Sequence, residues 1–208
     1  MALLLGISLA VVITLTGPLL LFNPWTTSAL QQRHDVAGLL DTDQATVDRV
    51  TNEVLADLYS GGDFAVELEP GIPLLDDRER SHMGDVSALV RLLAVILGLA
   101  AAIAVVAAFW MRHEPERIGG VMVASAVGIG AVALLLGITF AVAFEPAFLA
   151  FHAIFFPPGT YLFAPGSQLI LLFPSGFWFD ASLLAGATIV VTAAIVGITG
   201  WRLAHARG

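Results

Sequence analysis

Residues Val86 to Met111 read VSALVRLLAVILGLAAAIAVVAAFWM, an apolar run interrupted by one charge, Arg91. An α-helix rises roughly 1.5 Å per residue and about twenty residues cross a bilayer core, so this run is long enough to span. Three more stretches match it: Ala2 to Phe22, Ile118 to Phe144 and Ala181 to Leu203. The first lacks a basic n-region and a small-residue cleavage signal, and is predicted to be a span rather than a removed leader. The expected fold class is an all-α membrane protein, a single integral membrane domain over 1–208. Its four transmembrane helices lie near 2–22, 86–111, 118–144 and 181–203. Between them lie a helical extracytoplasmic loop over 23–85 and an aromatic re-entrant or interfacial lip over 148–180.

Composition agrees. Of 208 residues, 58% are apolar and 12% charged, and Cys is absent. A soluble enzyme, a nucleic-acid binder and a disulfide-stapled secreted domain are excluded, and no thiolate is available for catalysis or metal binding. Thirteen of the seventeen acidic residues fall between Asp35 and Asp85, and the nine basic residues are all Arg. The acid therefore belongs to one loop, as expected for a salt-adapted protein or for an acidic extracytoplasmic segment.

Arg112 and Arg117 stand in the short third-span link and Arg202 and Arg207 in the tail, whereas the segment from Phe148 to Asp180 has no Arg. The positive-inside bias predicts a multi-pass cell-membrane protein with both termini cytoplasmic and the acidic loop and aromatic lip extracytoplasmic. Within the loop, Val47, Val50, Val54 and Leu58 recur at helical spacing after Thr42-Asp43 and before Gly61-Gly62, predicting one amphipathic helix. Gly120, Ala124 and Gly128 form a small-residue stripe expected to let another helix approach.

The loop runs into the second span through Glu79-Arg80-Ser81-His82-Met83-Gly84-Asp85. His82 is thus placed at the outer mouth of that span, and the third span leads outward through Glu145-Pro146 to His152. Spans joined by a short link are neighbours, so His82 and His152 are expected to face one cleft. A single histidine at a membrane boundary is ordinarily a polar anchor; two at matching depth, each near a carboxylate, suggest chemistry. Asp85 lies three residues after His82 and Glu145 seven before His152, spacings that put each on its imidazole's helix face. A carboxylate there would fix the tautomer and raise basicity, although Asp85 also suits a helix N-terminus. Arg91 falls inside the span, where an unpaired charge costs about 2.5 to 3.5 kcal/mol. It is expected either to pair with Asp85 or Glu145 or to reach a lipid ester or headgroup.

Ten of the nineteen aromatic residues lie between Phe148 and Phe179, where Pro157-Pro158-Gly159, Pro165-Gly166 and Pro174-Ser175-Gly176 break the backbone. This segment is expected to be either an aromatic belt or the wall of a shaped cavity. Ser81 and Ser175 stand in no nucleophile motif, and two His without Cys make a poor zinc site.

The stretch from Glu79 to Val86, with Phe148-Leu149-Ala150-Phe151-His152-Ala153-Ile154-Phe155-Phe156, Leu169 to Pro174 and Gly176 to Asp180, resembles a four-span integral-membrane family that includes the lipoprotein intramolecular transacylase. The resemblance implies an outward-facing acyltransferase that uses no cofactor. It would move an acyl chain from the glyceryl group of a diacylglyceryl lipoprotein to that protein's own N-terminal amine. Its two histidines match His82 and His152 as catalytic residues; the residues of this sequence expected to support them are Asp85, Glu145, Arg91 and Glu79. The implied partners are a membrane lipid and a lipoprotein N-terminus. The alternative is a non-catalytic membrane protein whose acidic loop binds a partner, in which the two imidazoles need not meet.

Overall fold

The Asn23-Pro24-Trp25 turn separates α1 (Ala2–Leu21) from α2 (Pro24–Arg33), in the computed structural model, which describes residues 1–206. Asn23 Oδ1 accepts the Thr26 N–H at 3.0 Å, and Pro24 takes the first helical position, where its missing N–H costs nothing. Arg207, part of the orientation expectation, lies outside the described residues. The chain continues through α3 (Val36–Leu39), α4 (Gln44–Ser60), β1 (Glu67–Glu69), β2 (Ile72–Pro73), α5 (Asp77–Trp110), α6 (Pro115–Val142), α7 (Phe144–Phe155), α8 (Gln168–Leu172) and α9 (Ser175–His205). Helices α1, α5, α6 and α9 are each long and apolar enough to cross a membrane. A short antiparallel β1–β2 hairpin, turning through Gly71 at φ +80°, sits within the loop of this otherwise all-α chain.

The chain divides into two compact units. The first comprises Met1–Leu20, Leu93–Thr139 and the chain from Leu183 onward. Leu5, Ala104, Ala107, Met111 and Ile118 form one buried cluster there, and Ile13, Ala126 and Ala193 another. Small residues allow the approach: a Cβ on Gly200 would stand 2.6 Å from Met122 Cβ and 2.8 Å from the Gly119 carbonyl. The expected stripe is not the one used. A Cβ on Gly120 or Gly128 meets nothing within 4 Å, and Ala124 is exposed, because Gly119 is the α6 position turned toward α9. Val105, Val127, Leu135 and Ile195 are exposed, the kind of helical surface that lipid tails cover.

The second unit comprises Leu21–Leu92 and Phe140–Ser182. Helix α4 follows the expected pattern: Asp43 caps it by accepting the Thr46 N–H at 2.7 Å, and Gly61, in the left-handed region at φ +79°, ends it. Val47, Val50, Val54 and Leu58 are all buried, each such side chain contributing roughly 1.5 to 3 kcal/mol by leaving water. Gln31, with 0% exposure, donates to the Leu172 carbonyl at 3.2 Å and accepts from Thr51 Oγ1 at 3.0 Å, so α2, α4 and α8 share one satisfied polar core. Asp180 accepts from Arg33 Nε at 3.0 Å and lies 2.8 Å from His34 Nε2.

Helix α5 starts at Asp77 rather than at Val86. Asp76 and Glu79 form a capping box: Asp76 Oδ1 accepts the Arg78 and Glu79 N–H groups, each at 2.8 Å, while Glu79 Oε2 accepts the Asp76 N–H at 2.8 Å. His82 therefore lies on the helix, as the shared face expected for it and Asp85 requires. The aromatic segment after α6 is also more ordered than expected, consisting of α7, a Pro- and Gly-rich loop, α8 and the first turn of α9.

Candidate active site

His82 of α5 and His152 of α7 face each other with ring centroids 6.1 Å apart and planes 28° from parallel. Aromatic rings surround them. Phe156 lies 5.0 Å from His82 and 5.5 Å from His152, Phe163 lies 5.5 Å from His82, and Phe148 and Tyr161 lie 4.2 and 5.3 Å from His152. His82 is only 6% exposed, and its Nδ1 has no hydrogen-bond partner among the described residues.

His152 Nδ1 lies 2.8 Å from the Phe148 carbonyl, one helical turn back. A carbonyl oxygen only accepts, so Nδ1 carries the proton and Nε2 holds the basic lone pair in the neutral ring. Burial pushes the His152 imidazole below its ordinary range, opposed by the Phe148 hydrogen bond. The neutral ring, able to take a proton, is the form this enclosure favours.

The structure gives the four other candidate residues different places. Glu79, 2% exposed, holds the start of α5 through the capping box and reaches α8, its Oε1 accepting the Leu169 N–H at 2.9 Å. It fixes the helix that carries His82. Asp85 and Glu145 are exposed and hydrogen-bond neither imidazole, so neither sets a tautomer: the Phe148 carbonyl does this for His152. Arg91 pairs with neither carboxylate. Its Nε donates to the Ser87 carbonyl at 3.4 Å, and its guanidinium lies against Gly61 at the end of α4, where the helix dipole favours a cation.

Sequence reasoning missed Arg78. Its Nη2 donates to the Gly159 and Leu162 carbonyls at 3.3 and 3.4 Å, and its Cζ stands 5.8 Å over the Phe163 ring. Only its place next to Glu79 in the stretch before His82 could have drawn attention to it.

A half-buried neutral imidazole whose Nε2 holds the lone pair, beside a second imidazole, can take a proton from an amine or hydroxyl and return it to a leaving oxygen. Apolar rings around the pair suit an acyl substrate and strengthen any hydrogen bond to a developing oxyanion.

Comparison with known proteins points the same way. A family model described as lipoprotein intramolecular transacylase Lit matches residues 1–178. An uncharacterised protein of Aquifex aeolicus (strain VF5) is 27% identical over 133 residues, covering 64% of this chain and 59% of that relative, so the match spans less than two thirds of the relative's length. Among solved structures, the in meso structure of the membrane integral lipoprotein intramolecular transacylase Lit from Bacillus cereus superposes with a TM-score of 0.86 at 18% identity, covering 97% of this chain and 93% of that one. Structures of its histidine-to-arginine and histidine-to-alanine variants each give a TM-score of 0.78 at 18% identity, covering 97% of this chain and 89% and 91% of theirs. The fold is shared over nearly the whole length.

Proposed function

The chain belongs to the lipoprotein intramolecular transacylase family, and on that premise we propose that it transfers an acyl chain from the glyceryl group of a diacylglyceryl lipoprotein to that lipoprotein's N-terminal amine. The observation that carries this proposal is the facing imidazole pair inside an aromatic enclosure, with His152 Nδ1 held as a donor. His152 Nε2 takes the proton of the attacking amine, and His82 offers a hydrogen bond to the carbonyl oxygen as negative charge develops there. When the ester C–O bond breaks, the proton passes to the glyceryl oxygen. Amine and ester belong to one bound molecule, so positioning supplies much of the rate and no enzyme nucleophile is needed.

Orientation is part of the proposal. The Arg112 and Arg117 link and Arg202 in the last turn of α9 support cytoplasmic termini, which would put the residues between α1 and α5 and those between α6 and α9 on the extracytoplasmic side. Lipoprotein substrates anchored by their lipid would meet the protein within the same membrane.

The test is mass spectrometry of lipoprotein N-termini from cells with and without the protein, repeated with His82→Ala and His152→Ala. N-acylated monoacylglyceryl termini should require the protein and both histidines. Diacylglyceryl termini with a free amine in every case would overturn the proposal.

A further inference from the structure

Twelve residues, Phe156 to Ser167, link α7 to α8, and those from Pro157 to Gly166 form a loop beside the imidazole pair. Tyr161 and Phe163 of this loop stand against His152 and His82, so the loop lines the site. Its ends are glycine-dependent: Gly159 and Gly166 have φ of +84° and +91°, in the left-handed region. Among the described residues, its hydrogen bonds to itself are short turns, Thr160 to Pro157 and Ser167 to Ala164. The long-range attachment comes from Arg78, whose guanidinium grips two of the loop's carbonyls and lies over Phe163. One exposed cation of α5, a single turn before His82, thus ties this loop to the helix that carries His82.

We propose that Arg78 is a positioning and specificity-determining residue that clamps this loop over the imidazoles and keeps water from the acyl carbonyl, so that the chain passes to the substrate's amine and not to solvent. This rests on the proposed function above. In transfer, the amine nitrogen bonds to the acyl carbon, the ester C–O bond breaks, and the amine's proton ends on the glyceryl oxygen. In hydrolysis, a water oxygen attacks the same carbon and the chain leaves as a fatty-acid carboxylate, one proton going to the glyceryl oxygen and one to the medium. The base that activates the amine serves water equally well, so exclusion of water decides the outcome.

The experiment uses the full-length protein with a synthetic diacylglyceryl lipopeptide, quantifying N-acylated product and free fatty acid by mass spectrometry. It also follows diethyl pyrocarbonate labelling of His82. For Arg78→Ala the ratio of free acid to N-acyl product should rise about fivefold and His82 should label about fivefold faster, the scale of one lost cation–π contact with its hydrogen bonds. Arg78→Lys, which keeps the charge and a donor, should recover part of both. An unchanged product ratio would overturn the specificity role even if total turnover fell. Unchanged labelling would overturn the clamp whether or not the protein transfers acyl chains. Faster labelling, with neither product from the wild-type protein, would remove the proposed function and the specificity role together while leaving the clamp standing.

Discussion

The Leu169 backbone N–H donates to Glu79 Oε1 across 2.9 Å, joining the first turn of α8 to the first turn of α5. The same carboxylate closes the α5 capping box through its other oxygen, so one buried side chain satisfies the orphan N–H groups of both Asp76 and Leu169. His82 stands on the next turn.

Glu79→Gln should destabilise the protein by about 1 to 3 kcal/mol, because the amide has one acceptor oxygen where the site requires two. Thermal unfolding in detergent should show a lower midpoint, and activity at a permissive temperature should fall as His82 shifts. An unchanged midpoint would deny the carboxylate this fastening role.

His82→Ala and His152→Ala should each insert and fold, and each should lose transfer activity by about 10²- to 10⁴-fold, the usual scale of a positioned acid or base. The double variant should be no slower than the worse single one, since residues acting as one unit are not additive. Losses that multiply would mean that the two rings act independently.

Asp85→Asn and Glu145→Gln should leave turnover within about twofold of wild type, since neither carboxylate hydrogen-bonds an imidazole and exposed charges interact weakly. Sequence spacing alone suggested the opposite. A large loss in either variant, with normal folding, would restore the carboxylate as the orienting group.

Transfer should depend on pH through His152, whose burial holds it below the ordinary value of 6.5. Activity needs the neutral ring, so it should persist as pH falls through 6.5 and decline only below that. The sign for stability is the same: a histidine with a lowered folded value contributes fully above its unfolded value, and the contribution is lost as pH falls through the folded one. A rate profile that breaks above 6.5 would contradict the enclosure.

Asp63→Cys provides a single thiol at an exposed position, the Asp63 side chain being 77% accessible. The lost pair with Arg80 is a surface one, so folding should be little affected. In intact cells the thiol should react with a membrane-impermeant maleimide. Reaction only after lysis would invert the proposed orientation.

What the sequence made legible was what repeats locally. The four apolar runs and the Asp43-to-Gly61 helix follow from periodicity and caps, which act within a few residues of each other. The placing of His82 against His152 was also within reach, through the short link between α5 and α6 and the resemblance of the surrounding motifs. Contacts made over long separations were not legible. Arg78 meets carbonyls 81 and 84 residues away, Gln31 reaches Leu172 over 141, and His34 reaches Asp180 over 146. No local pattern encodes such pairs. The surroundings of Asp85 and Glu145 were illegible for a related reason: same-face spacing places a side chain on a helix surface but says nothing of where it turns, and both are exposed with no hydrogen bond to an imidazole.

The Phe148 carbonyl that holds His152 Nδ1 is an uncharged partner, and it belongs to the same helix. A carboxylate in that place would be half of an ion pair, screened by dissolved ions and costly to dehydrate, whereas a peptide dipole one turn away is screened by neither. The proton inventory of His152 is therefore carried by a single turn of backbone, insensitive to ionic strength, while most of the chain's anionic charge, the buried Glu79 apart, is exposed where the surrounding electrolyte can act on it freely.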